Sequence, residues 1–143
     1  MKDKKSANTI AKPPSKFILL GEDDIDDQEI LEEIFSTVDT SLNLQFFNNG
    51  RKVISHLENA DQNLPCLIVL DFNMPELNGA EILKILSSNE RLKSIPKIIW
   101  STSDAPVYKE MCLQLGACDY LVKPSKIHVL EDMVKHMLSY CSS

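Results

Sequence analysis

No apolar run in this sequence is long enough to span a bilayer, and the N-terminus has no apolar stretch of the signal-peptide kind. A cytoplasmic location without a membrane partner is therefore expected. C-x-x-C spacing is missing among the four cysteines Cys66, Cys112, Cys118 and Cys141. Cys66 and Cys118 lie in strand-like runs, where thiols pack as small apolar groups, so free thiols in a reducing compartment are expected. The three histidines, His56, His128 and His136, fall in helical segments without a shared ligand spacing, which argues against a metal or phosphohistidine role. Basic charge is scarce outside the first residues. Lys2, Lys4, Lys5, Lys12 and Lys16 face only Asp3 in residues 1–16, so of a net charge of −6 about −10 falls on the remainder. A body this acidic is a poor fit to nucleic acid.

What is present is ordinary globular material: 143 residues with 43% hydrophobic content, enough for one domain and its core. Residues 1–15 have no periodicity and end in Pro13-Pro14, which reads as a flexible basic arm ahead of a domain at 16–143. The apolar run Phe17 to Leu20 leads through Gly21 into an acidic burst, Glu22 to Asp27, and then Ile30, Leu31, Ile34, Phe35 and Val38 recur at helical spacing. Leu42, Leu44 and Phe46 alternate with polar residues. Asn48-Asn49-Gly50 comes next, and Val53, Ile54 and Leu57 predict a short helix.

Cys66 to Leu70 is apolar throughout and ends at Asp71. Met74-Pro75 and Asn78-Gly79 mark a loop before a helix bearing Ile82, Leu83, Ile85 and Leu86. Ile98-Ile99-Trp100 runs into Ser101, with Trp100 assigned to the core. Val107, Met111 and Leu115 place a helix that opens near Pro106 and stops at Gly116. Cys118, Tyr120 and Val122 alternate before Lys123-Pro124, and Ile127 to Leu138 forms a last helix.

Five strands alternating with five helices predict an α/β fold, a parallel sheet with helices on both faces. Runs at Phe17, Cys66 and Ile98 are apolar on both sides, as central strands are, whereas those at Leu42 and Cys118 alternate like edges. That ranking implies the flavodoxin-like order 2-1-3-4-5, with ligands gathered beyond the carboxyl ends of the strands. Glu22 and Asp23, Asp71, Ser101 and Lys123 all lie at strand ends on that edge, so the carboxylates should converge. Two unit charges about 4 Å apart repel by roughly 4 kcal/mol at an effective dielectric of 20. Lys123 supplies one neutralising charge, and a hard divalent cation with oxygen ligands, Mg²⁺, suits the rest. One carboxylate can then act as a nucleophile toward phosphorus.

Through GEDD at 21–24, LDFNMPELNG at 70–79, IIWSTS at 98–103 and GACDYLVKP at 116–124, the chain resembles a response-regulator receiver domain of two-component signalling. The likeness covers residues 16–140 and is greatest to the stand-alone, CheY-like members, including those that serve bacterial phytochrome-type kinases. It implies that Asp71 accepts a phosphoryl group from a sensor histidine kinase or phosphotransfer protein. It also implies that Asp71, Asp23 and the backbone carbonyl of Asn73 bind Mg²⁺, with Glu22 acting through a water. Lys123 would pair with phosphoryl oxygens, Ser101 would hydrogen-bond the attached group, and Tyr120 would change position with Ser101. Output would pass to a downstream protein, or to a second copy, through Val107 to Leu115, Cys118 to Val122 and Ile127 to Met137.

The family also implies a cis Lys123-Pro124 bond, and Gly21, where an apolar residue is usual, would loosen the first strand. Such a protein catalyses only its own phosphorylation and dephosphorylation, so it is not an enzyme in the usual sense. Three rivals are weaker. A Mg²⁺-dependent phosphatase of the haloacid-dehalogenase kind needs a second Asp where Asn73 stands. A flavodoxin-like carrier would have its phosphate repelled by Glu22 to Asp24. A degenerate receiver that only binds partners would not need the full acidic set and Lys123. A Ca²⁺ loop at Asp24 to Asp27 lacks the glycine and terminal Glu of an EF-hand.

Overall fold

The computed structural model describes residues 16–59, 61 and 63–141, so the arm expected at 1–15 lies outside the described residues. Five strands and five helices alternate: β1 (Phe17–Gly21), α1 (Ile25–Val38), β2 (Asn43–Phe47), α2 (Gly50–Glu58), β3 (Leu67–Asp71), α3 (Gly79–Ser87), β4 (Lys97–Ser101), α4 (Pro106–Gln114), β5 (Asp119–Val122) and α5 (Ile127–Ser139). The sheet is parallel and ordered β2-β1-β3-β4-β5, the flavodoxin-like arrangement expected. Every residue of β1, β3 and β4 is buried, while β2 and β5 form the edges. Apolar faces on both sides of a strand demand cover on both sides, which only a central position provides.

Side chains alternate along each strand, and that alternation divides the core in two. Leu19, Ile68, Leu70 and Ile99 point to the side covered by α2, α3 and α4, with Leu83 and Leu86. Ile18, Leu20, Leu67, Val69, Ile98 and Trp100 point to the side of α1 and α5, against Leu31, Phe35, Val134 and Met137. At roughly 1.5–3 kcal/mol for each fully buried aliphatic side chain, these two layers dominate the stabilisation of the sheet.

Loops at the carboxyl edge are set by local chemistry. Asp24 caps α1 by accepting from the Asp27 N–H, Asn49 caps α2 through Lys52, and Asn78 with Glu81 forms a capping box on α3. Pro106 opens α4, and Gly116, at φ +112°, lies just past its end, where a left-handed residue terminates a helix. Between β3 and α3, the Leu77 N–H donates to the Pro75 carbonyl across Glu76, which is held at φ +70°. This is a strained γ-turn in the loop after Asp71.

Gly50 fastens α2 to that same loop, its N–H donating to the Pro75 carbonyl at 3.1 Å. A Cβ on Gly50 would sit 2.2 Å from the Leu77 carbonyl oxygen, backbone that has no rotamer by which to retreat. Gly50→Ala is therefore expected to lower stability by about 1–3 kcal/mol. Urea unfolding checks it, and an unchanged midpoint would show that the α2 junction yields. The space over Gly21 is also filled: a Cβ there would meet Met74 Cε at 2.6 Å. Met74 thus packs over the strand end at Gly21.

Two expectations are corrected. Cys66 and Cys141 are joined as a disulfide with Cα atoms 5.0 Å apart, leaving Cys112 and Cys118 as the free cysteines. α5 lies on the face of the sheet beside Cys66, and its end brings Cys141 within bridging distance across a separation of 75 residues. Among the described residues there is no cis peptide bond, so Lys123-Pro124 is trans, the form X-Pro bonds favour by about 0.5–1 kcal/mol. Lys97 opens β4 as a buried lysine. Its ammonium donates to the Leu92 and Lys93 carbonyls at 2.9 Å each, and burial holds its pKa below the ordinary lysine value.

Candidate functional site

Because all five strands run the same way, their carboxyl ends open onto one edge, and each strand brings to it the residues at and just past its end. β1 delivers Glu22 and Asp23, β3 ends on Asp71, β4 ends on Ser101, and Lys123 comes directly after β5. Carboxylate oxygens of Glu22, Asp23 and Asp71 lie within 4.8 Å of one another. Glu22 and Asp71 are buried, at 1% and 6% exposure, whereas Asp23 is open to solvent.

The Lys123 ammonium bridges the cluster. Its Nζ lies 2.8 Å from Asp71 Oδ2, 3.0 Å from Glu22 Oε1 and 2.9 Å from Asp27 Oδ2. Burial by itself would depress the Lys123 pKa, but the hydrogen bonds to Asp71, Asp27 and Glu22 together outweigh it and hold the ammonium firmly charged. The other Asp71 oxygen, Oδ1, accepts from the Asn73 N–H at 2.9 Å, so the backbone of the following loop also orients the carboxylate.

Glu22 is pushed up to about 7, chiefly by burial, with the Trp100 N–H opposing and Asp71 adding to the rise. A raised carboxyl pKa means that the folded protein binds this proton more tightly than the unfolded chain. Its stabilising contribution is complete below about 4.5 and is lost as the pH rises through about 7. Up to about 3 kcal/mol is at stake for a shift of this size. In EDTA, the wild type should thus lose more stability between pH 5 and pH 8 than Glu22→Gln does. Equal losses in urea unfolding would contradict the assignment.

Ser101 is fully buried, and its Oγ accepts from the Ser103 N–H at 3.1 Å. The Ser103 carbonyl in turn accepts from the Tyr120 hydroxyl at 2.8 Å, so a short chain of hydrogen bonds runs from the end of β4 to β5. The Tyr120 ring is already inward, at 4% exposure. Two residues of this edge escaped sequence reasoning. Asp27 looks like a helix-start acid, yet its side chain turns back to Lys123. Trp100 belongs to the core as assigned, but its indole N–H donates to Glu22 Oε1 at 2.9 Å, and Lys123 Nζ sits 5.1 Å from its ring centroid. The one available signal was that a buried tryptophan normally finds an acceptor for its N–H.

This geometry can be set beside known proteins. The profile of the response regulator receiver domain matches residues 18–135. The chain belongs to that family. This receiver domain superposes on the phosphorylated cyanobacterial phytochrome response regulator RcpA with a TM-score of 0.80 and 27% identity, covering 89% of this chain and 94% of that one. On the Mn²⁺-bound form of the response regulator Rcp1 the TM-score is 0.77 at 30% identity, covering 87% and 92%. In sequence it is 30% identical over 125 residues to the chemotaxis protein CheV2 of Helicobacter pylori, covering 87% of this chain and 39% of that protein.

Receiver domains are signalling proteins that work with histidine kinases and downstream targets. Among the described residues, no helix of this receiver domain is long and apolar enough to cross a membrane. The donor set fits a hard divalent cation. Glu22, Asp27 and Asp71 share the single ammonium of Lys123, Asp23 adds a fourth carboxylate with no cation of its own among these contacts, and the three that cluster, Glu22, Asp23 and Asp71, offer only oxygen.

Proposed function

We propose that this receiver domain accepts a phosphoryl group onto Asp71 from the phosphohistidine of a sensor kinase or phosphotransfer protein, in a Mg²⁺-dependent reaction. The observation that carries the reading is Asp71 itself: buried at a strand exit, Oδ1 held by the Asn73 N–H, Oδ2 held by Lys123, with Glu22 and Asp23 alongside. Asp71 attacks phosphorus to form an acyl phosphate. The P–N bond of the phosphohistidine breaks, its electron pair passing to the departing imidazole.

Lys123 follows the charge, moving its hydrogen bond from the carboxylate to a phosphoryl oxygen. Asp23, Asp71 and the Asn73 carbonyl would hold Mg²⁺, with Glu22 acting through a water. When bound, that ion offsets charge on the phosphoryl oxygens and orients them for in-line displacement. Ser101 then donates to the new group. A cytoplasmic site of action accords with supply by such a kinase.

Output is proposed to run through α4, β5 and α5, to a downstream protein or a second copy. Val107, Tyr108, Leu113 and Ile127 are large apolar side chains left exposed on these elements. Because Tyr120 is already buried, phosphorylation would act by redirecting the Ser101–Ser103–Tyr120 chain rather than by drawing the ring in, shifting the population toward one packing. Intact-mass measurement after incubation with acetyl phosphate and Mg²⁺ should show a gain of one phosphoryl group. No gain would favour a receiver that only binds partners. Amide hydrogen exchange with and without beryllofluoride should change over 107–115, 118–122 and 127–137 in the wild type but not in Ser101→Ala. Changes confined to 30–38 would remove the output face.

A further inference from the structure

We infer that Trp100 is a positioning residue of the phosphoacceptor site, holding Glu22 in place from two strands away; the inference rests on the reading of the acidic cluster as a Mg²⁺ site. β4, which carries Trp100, is separated from β1 and Glu22 by β3. The indole spans that gap and puts its N–H 2.9 Å from Glu22 Oε1. Tryptophan can only donate at this atom, and at 3% exposure the N–H is shielded from water.

Glu22 is itself 1% exposed and held at both oxygens: Oε1 by Trp100 and Lys123, Oε2 by the Asp24 N–H at 3.1 Å. Without the indole, Oε1 keeps Lys123 alone, a donor already shared with Asp71 and Asp27. Trp100 also presents its ring to Lys123 at 5.1 Å, a distance at which an ammonium is attracted to the aromatic face. One side chain thus braces both the acid beside the cation site and the ammonium beside Asp71, and in the register of β3 and β4 it stands opposite Asp71 itself. Because Glu22 is the group that Trp100 holds by a hydrogen bond, its effect should appear in the affinity for Mg²⁺.

The test is calorimetric titration of the whole chain with Mg²⁺. Trp100→Phe keeps a ring and removes the donor. Its Kd should be weaker by roughly tenfold, in line with losing a hydrogen bond to a charged group. In a Glu22→Ala background the same change should alter Kd by less than about twofold, because the partner is gone. The Mg²⁺ concentration giving half-maximal acetyl phosphate rate should rise in Trp100→Phe in proportion to the weakened Kd. A second measurement needs no change at Trp100, the single tryptophan of the chain. Its emission should respond saturably to Mg²⁺ in the wild type and lose that response in Glu22→Ala. Unchanged affinity in Trp100→Phe, the same loss in the Glu22→Ala background, or an emission indifferent to Mg²⁺ would overturn the inference. A wild type that binds no Mg²⁺ would instead remove the cation-site reading, and this inference with it.

Discussion

Asp71→Asn is expected to take up no phosphoryl group from acetyl phosphate under conditions that label the wild type fully. An amide oxygen is too weak a nucleophile to open a phosphoryl donor, and no acyl phosphate can form on it. The surroundings reinforce the loss. Oδ2 faces the Lys123 ammonium and Oδ1 faces the Asn73 N–H, both donors. An asparagine can satisfy only one of them with its oxygen and must turn its NH₂ toward the other. That mismatch costs stability, on the order of 1–3 kcal/mol for a buried unsatisfied donor, offset in part by relief of carboxylate repulsion. Circular dichroism in the same buffer separates a folded but unreactive variant from an unfolded one. Full labelling of Asp71→Asn, with the group mapped to Asp23 or another acid, would sink the assignment.

Lys123→Met should produce the largest change in stability at this edge. One ammonium contacts Asp71, Asp27 and Glu22 at 2.8–3.0 Å, and its side chain is only 12% exposed. Methionine fills similar volume but leaves three carboxylates facing one another. Removing one partner of a buried ion pair typically costs 3–5 kcal/mol, so metal-free Lys123→Met should be destabilised by up to about that much, and by less where Glu22 takes up a proton once the ammonium that lowers its pKa is gone. A divalent cation can replace the missing charge. Saturating Mg²⁺ should therefore restore stability more in Lys123→Met than in the wild type, and should bind the variant more tightly. Urea unfolding with and without Mg²⁺ measures both. A variant as stable as wild type in EDTA would mean that the repulsion among Glu22, Asp27 and Asp71 is relieved by something other than Lys123.

The exposed ion pair Arg51–Glu76, 3.5 Å apart with both side chains more than half exposed, should contribute little by comparison. Burial separates the two cases. Charges in water lose little when a partner is removed, whereas Glu22 and Asp71 have almost no water to turn to.

Much of the fold was legible because each local pattern has one physical outcome. Phe17 to Leu20, Cys66 to Leu70 and Ile98 to Trp100 are apolar on both faces and so had to lie inside the sheet. The alternating runs at Leu42 and Cys118 had to lie at its edges. Strands that all run parallel expose their carboxyl ends on one side, so Glu22, Asp23, Asp71, Ser101 and Lys123 could be assigned to one edge from their positions at the strand ends. The meeting of Glu22, Asp23 and Asp71 within 4.8 Å results from β1 and β3 being neighbours.

Periodicity reports which face a residue takes, never which atom it meets, and there the tertiary structure decided. Trp100 was placed correctly in the core, but its hydrogen bond to Glu22 crosses 78 residues and depends on an indole reaching over β3. Asp27 has the pattern of a dipole-complementing acid. Only the return of the chain 96 residues later, with Lys123, makes it part of the site. Cys66 and Cys141, expected as free thiols, pair because α5 ends beside the start of β3. In each case the deciding quantity is a separation of a few ångströms between side chains far apart in sequence. Such a separation is set by helix and strand packing as a whole and is written in no single stretch of the chain.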